Sequence, residues 1–198
     1  MPRDPGRVVL IGPMASGKST VGRLVARRTG ARFVDTDRVI VDRHGSISTL
    51  FERGGEAAFR AVEADVVREA LAGSDVVLSL GGGAVLHSGT RELLAVTTVV
   101  FLDTDLTTVL PRISADSGRP LLAHRPAERW QELYDERAPL YASLASVVVD
   151  TRGLIPRRVT DRVLAALHQN RTHGETPGAT PTAGPSSEPE SRTQHHVD

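Results

Sequence analysis

Between residues 12 and 20 the chain reads Gly12-Pro13-Met14-Ala15-Ser16-Gly17-Lys18-Ser19-Thr20, the spacing G-x-x-x-x-G-K-[ST]. That spacing handles phosphate. Backbone amides at a glycine-rich turn and at the start of a helix point at the anion, Lys18 adds a point charge at the β and γ groups, and the Ser19 hydroxyl suits Mg²⁺. The context agrees, because an apolar run, Val8 to Ile11, precedes the loop and a helical pattern with Val21, Leu24 and Val25 follows it. A second group of chemical residues is Asp35-Thr36-Asp37, at the end of another apolar run. On an extended strand two carboxylates two residues apart share one side, so one acid can hold a metal-bound water while the other takes a proton from an attacking hydroxyl. The competing reading of the same residues is a helix cap followed by a solvated acid.

Three further features bear on an acceptor for the phosphoryl group. Arg60 follows Phe59 on a helical pattern, off its apolar stripe, and Glu63 one turn later can fix its guanidinium; a surface ion pair has the same spacing. Gly81-Gly82-Gly83 directly follows an apolar strand, where a main chain without Cβ lets a small molecule pack against the backbone. Arg112, Arg119 and Arg137 lie in a Pro- and Gly-rich stretch that reads as a mobile flap followed by a helix. Their fork-shaped, permanently charged guanidinium groups suit carboxylate and phosphate.

Short β-branched runs must position these residues. Five candidate strands, Arg7 to Ile11, Arg32 to Asp35, Asp75 to Leu80, Thr97 to Asp103 and Ser146 to Asp150, are mostly apolar on both faces, as strands covered by helices on both sides require. Between them lie amphipathic stretches, clearest from Glu56 to Leu71 with Phe59, Val62, Val66 and Ala70 at helical steps. The alternation predicts an α/β fold, a five-stranded parallel sheet flanked by helices, with ligands at the carboxyl ends of the strands. Residues 1–170 form the expected domain. From residue 171 to the end there are eight Ser or Thr, four Pro and three Gly, with Val197 the one large apolar residue, so that segment is expected to be a disordered tail. The 198 residues carry 24 Lys and Arg against 24 Asp and Glu and no cysteine. A disulfide framework and a thiolate metal site are excluded, while a general nucleic-acid or membrane-surface binder is disfavoured by zero net charge. A cytoplasmic location is the default expectation.

With their order and spacing, the loop Gly12 to Thr20, Asp35-Thr36-Asp37, Gly55-Glu56-Ala57-Ala58-Phe59-Arg60 with Glu63, Leu80-Gly81-Gly82-Gly83-Ala84-Val85, Arg119-Pro120-Leu121-Leu122 and Arg137-Ala138-Pro139-Leu140-Tyr141 resemble the shikimate kinase family. The likeness spans Val8 to Leu167. It implies a P-loop kinase like the nucleoside monophosphate kinases, with a mobile lid at roughly 112–125, substrate-binding helices at roughly 36–62, ATP and Mg²⁺ as cofactors, and a monomeric enzyme needing neither nucleic acid nor membrane. Further implied are Asp37 as base on the shikimate hydroxyls, Arg60 and Arg137 on its carboxylate, and the Gly81 to Gly83 backbone against the substrate. On the nucleotide side the resemblance implies Gly12, Ala15, Ser16, Gly17, Lys18, Ser19 and Thr20 around the phosphates, Lys18 and Arg119 on the transferring group, Arg112 on the adenine, and Ser19 with Asp35 at the metal. Two positions depart from the pattern. Ala15 stands where the family usually has glycine, and a positive φ there costs about 1 to 2 kcal/mol; Leu154 stands where a basic residue often lies near the adenine, and neighbouring Arg152 receives no role. The residues without the resemblance leave gluconate or a nucleoside monophosphate open as acceptor, and also a non-catalytic nucleotide-binding module.

Overall fold

A computed structural model of the chain describes residues 6–114 and 125–174. Five strands, β1 (Arg7–Ile11), β2 (Arg32–Asp35), β3 (Val76–Ser79), β4 (Thr98–Asp103) and β5 (Val147–Asp150), make one parallel sheet in the order β2-β3-β1-β4-β5. Alternate residues of each strand feed opposite faces, which is why the strands are apolar throughout. Val9, Ile11, Leu78 and Phe101 face one core, completed by Val67 and Leu71 of α3 (Ile47–Ala72), Leu94 of α4 (Ser88–Leu94) and Tyr141 of α6 (Pro126–Leu144). Val8, Leu10, Val77 and Val100 face the other, against Val21 and Val25 of α1 (Lys18–Thr29) and Val159 and Val163 of α7 (Pro156–Gly174). The remaining helices are α2 (Thr36–His44) and α5 (Leu106–Ser114). No helix among the described residues is long and apolar enough to cross a membrane.

The strand order decides where a ligand goes. From β1 the chain moves outward to β2 and returns to β3, then crosses to β4 on the other side of β1. A crevice opens at the carboxyl ends where the connections diverge, the usual ligand position in such sheets. The phosphate loop leaves β1 there, Asp35 ends β2 there, and the three glycines follow β3 there.

Several expected boundaries shift. Asp75, expected in β3, has φ of 53° and lies before the strand, because a left-handed residue cannot continue a ladder. Leu80, Thr97 and Ser146 also fall just outside their strands. The helix read from Glu56 is continued backwards to Ile47 across a kink at Gly55, whose φ of 72° and ψ of −178° interrupt the helical run. Arg112 lies in α5, and α7 runs to Gly174, past the expected domain end at 170. Residues 115–124, with Arg119 and most of the expected lid, lie outside the described residues, as does the tail beyond 174.

Candidate active site

A cavity of about 820 Å³ opens at the carboxyl ends of β1 and β3, lined from one side by the phosphate loop and from the other by α2, α3, α6 and the glycine run. The loop takes its shape from three residues with positive φ, the first of them Gly12 at 138°. Gly17, at 96°, turns the backbone so that Lys18 begins α1, and Ala15 sits at 64°, the left-handed conformation that its departure from glycine makes costly. Lys18 is buried, and its Nζ donates to Gly12 O at 2.9 Å and Pro13 O at 2.8 Å. From outside the loop, Trp130 Nε1 donates to Met14 O at 3.0 Å and Arg112 Nη1 to Ala15 O at 2.8 Å.

Asp37 does not lie beside Asp35 on an extended strand. The strand ends at Asp35, which caps α2 by accepting from Arg38 N at 3.3 Å, and Asp37 is in the first turn of that helix. The helix-cap reading thus holds for Asp35, whereas Asp37 lines the cavity. Thr36 between them fixes the junction: its buried Oγ1 donates to Ser79 O and accepts from Gly81 N, both at 3.2 Å, tying the end of β2 to the start of the glycine run. Ser19 Oγ lies 3.4 Å from Ser79 Oγ.

Arg60 is not a surface residue. It is buried, with Nη1 donating to Glu63 Oε2 at 2.6 Å and Nη2 to Glu56 Oε1 at 3.2 Å, and its guanidinium lies 5.1 Å from the centre of the Phe59 ring. The spacing from Arg60 to Glu63 predicts this pair; the burial follows from tertiary packing against the glycine run. Glu63 is 1 % exposed. Burial pushes its carboxyl up to about 7, against the pull of Arg60; the Asp37 charge adds to the rise and Arg137 opposes it. Arg137, on α6, is buried too. Arg60 Nε, Arg137 Nε and Glu63 Oε1 are buried without a hydrogen-bond partner. Buried polar atoms left without a partner are costly unless a polar ligand completes them.

At Gly81 and Gly83 nothing larger fits. A Cβ on Gly81 would come within 2.5 Å of Glu63 Oε1 and 2.6 Å of Asp37 Oδ1, and one on Gly83 would collide with the Arg60 guanidinium. Tyr141 supports the glycine run from behind, donating its hydroxyl to Gly82 O, while burial raises its phenol to about 12 against the opposing charge of Arg137.

The cavity therefore gathers Ala15, Gly17, Lys18, Ser19 and Thr20 with Asp37, Arg60, Gly81 to Gly83, Arg112 and Arg137. Gly12, Ser16 and Asp35 do not line it, although each touches the site's framework; the buried Ser16 Oγ lacks a partner. Sequence reasoning missed Thr36, Ser79, Trp130 and the apolar wall of Ile47 and Phe51. Trp130 had one available signal, as the single tryptophan of the chain. Its contact partner, 116 positions away, had none.

The arrangement can hold a polyphosphate against the loop and a small anion bearing a hydroxyl between Arg60, Arg137 and Asp37. Comparisons with known proteins agree. A family model described as shikimate kinase matches residues 14–168. The shikimate kinase of Streptomyces coelicolor is 47% identical over 161 residues, covering 81% of this chain and 94% of the relative, and that of Streptomyces avermitilis is 48% identical over 162 residues, covering 81% and 95%. The solved shikimate kinase from Acinetobacter baumannii in complex with shikimate superposes with a TM-score of 0.80 at 34% identity, covering 84% of this chain and 94% of that one.

Proposed function

This chain belongs to the shikimate kinase family, and we propose that it transfers the γ-phosphoryl group of ATP to the 3-hydroxyl of shikimate, with Arg60 and Arg137 clamping the shikimate carboxylate while Asp37 accepts the proton of the attacking hydroxyl. The oxygen freed of its proton forms the new bond to the γ-phosphorus as the bond to the β–γ bridging oxygen breaks, and ADP leaves. Lys18 and Arg119 balance charge on the phosphoryl oxygens, and the amides around Ala15 to Ser19 hold the β-phosphate. Arg112 is the adenine contact. Gly81 to Gly83 provide a floor onto which the ring packs without a side chain intervening.

The Ser19 hydroxyl is a hard oxygen donor at the cavity, with the Ser79 hydroxyl beside it, and this suits Mg²⁺, which keeps most of its waters and needs few protein ligands. Ser19 would hold the ion directly and Asp35 through water. When bound, Mg²⁺ neutralises charge on the β and γ oxygens.

The observation that carries this division of roles is the convergence of Arg60, Arg137 and Asp37 on one cavity with the phosphate loop. Shikimate-dependent ADP release by the purified chain, with no release on gluconate or nucleoside monophosphates, is the expected result. Equal turnover on those acceptors would overturn the assignment of the clamp. A monomeric cytoplasmic enzyme without nucleic-acid or membrane partners belongs to the same reading, and sedimentation at working concentration tests the first of these.

A further inference from the structure

Two successive carbonyls of the phosphate loop are held by side chains from distant parts of the chain. Met14 O accepts from Trp130 Nε1 on α6, and Ala15 O accepts from Arg112 Nη1 on α5. The first of these peptides leads directly into Ala15, whose φ of 64° is a conformation an alanine holds only when its surroundings enforce it. Met14 and Ala15 also pack against a small core made by Val109, Ile113 and Trp130. The indole itself cannot swing away. It is 1 % exposed and stacks on Tyr134 at 5.2 Å between ring centres and 7° between planes, and the Tyr134 hydroxyl donates to Asp103 Oδ1 at 2.7 Å. A buried indole N–H needs an acceptor, and Met14 O is the one it has.

We propose that Trp130 is a positioning residue for the nucleotide: its N–H holds the Met14 peptide so that Ala15 stays left-handed and the loop amides face the phosphates. It touches no reacting atom. The inference rests on nucleotide occupying this loop. Helix α6 widens its consequence, because Trp130, Tyr134, Arg137 and Tyr141 follow one another at steps of four, three and four along a single face. One rigid element thereby holds the phosphate loop at one end and presents the acceptor's cation further along.

Trp130→Phe in the full-length chain keeps an aromatic ring and removes the donor. The KM for ATP should rise about three- to tenfold, the effect of one lost hydrogen bond, while the dissociation constant for shikimate stays within about twofold. Adding Ala15→Gly lets that position adopt positive φ without enforcement, so it should restore most of the lost ATP affinity; the same change in the parent should have a much smaller effect. An unchanged KM for ATP, a parallel rise for both substrates, or a loss that Ala15→Gly fails to repair overturns the proposal and leaves Trp130 as core packing. If Trp130→Phe does not fold, a benzothienyl analogue of tryptophan placed at 130 removes the N–H at nearly constant shape, and the same outcomes decide. Titration with ADP alone reads the effect independently of the acceptor, so a wrong acceptor assignment and a wrong role for Trp130 give different results.

Discussion

The two halves of the active site are built on opposite principles. The proposed nucleotide half is a contiguous stretch, residues 12 to 20, that would work through backbone amides and one lysine, and its geometry depends on φ values at Gly12, Ala15 and Gly17. The acceptor half takes Asp37 from α2, Arg60 and Glu63 from α3, the glycines after β3, and Arg137 from α6. It works through buried side-chain charge. A backbone site tolerates changes that keep its dihedrals; a charge cluster with unpaired buried atoms responds strongly to the loss of any member.

The sharpest break between the halves is expected at Asp37. Asp37→Asn should lower kcat by about 10²- to 10⁴-fold with the thermal midpoint preserved, the range for a lost general base. Retained turnover would remove Asp37 as base. Next comes the clamp: Arg137→Ala should raise the shikimate KM by roughly 10- to 100-fold, as loss of a charged hydrogen bond does, while ATP binding changes little. Equal damage to both substrates would mean that the halves are not separable.

Glu63 sharpens the comparison through pH. Burial raises its carboxyl from the ordinary value of 4.5 to about 7, so the protonated form is favoured in the folded state. Its contribution to stability is therefore fully present below about 4.5 and is lost as pH rises through about 7. Ionised Glu63 also repels the carboxylate of shikimate. Shikimate binding should weaken as pH rises through about 7, and in Glu63→Gln both this inflection and that share of the stability change should disappear, with ATP binding unaffected in either protein. A profile identical to the parent's would show that Glu63 does not titrate there. The smallest effect is expected from removing residues 175–198, which should leave turnover on both substrates unchanged; a substantial loss would tie the tail to the catalytic domain.

The same contrast explains what could be read in advance. The phosphate loop and the parallel sheet were legible because both are local patterns: a motif of fixed spacing, and strands apolar on both faces at Val8 to Ile11 and Val76 to Leu78. The residues proposed for the acceptor were named as a set through their resemblance to a family, and they do line one cavity, but their environment was not legible. Arg60 reads as an exposed pair with Glu63 by helical periodicity alone, yet it is buried beneath the glycine run. Asp35 and Asp37 read as neighbours on one strand, yet the helix starts between them. Which of the strand and helix-cap readings holds at this junction is beyond propensity, because Thr36 bonds to Ser79 O and Gly81 N across the sheet.

Residue order was enough to establish the chemistry available, phosphate binding by backbone amides and a supply of arginines and carboxylates, because those depend on residue type and short-range spacing. Which arginines lose their water, why Glu63 holds its proton to about 7, and what keeps Ala15 in a conformation it would not choose were decided only by folding. Desolvation and long-range hydrogen bonds arise from contacts between segments distant in the chain, such as Trp130 and Met14 at a separation of 116 positions, and no local pattern encodes them.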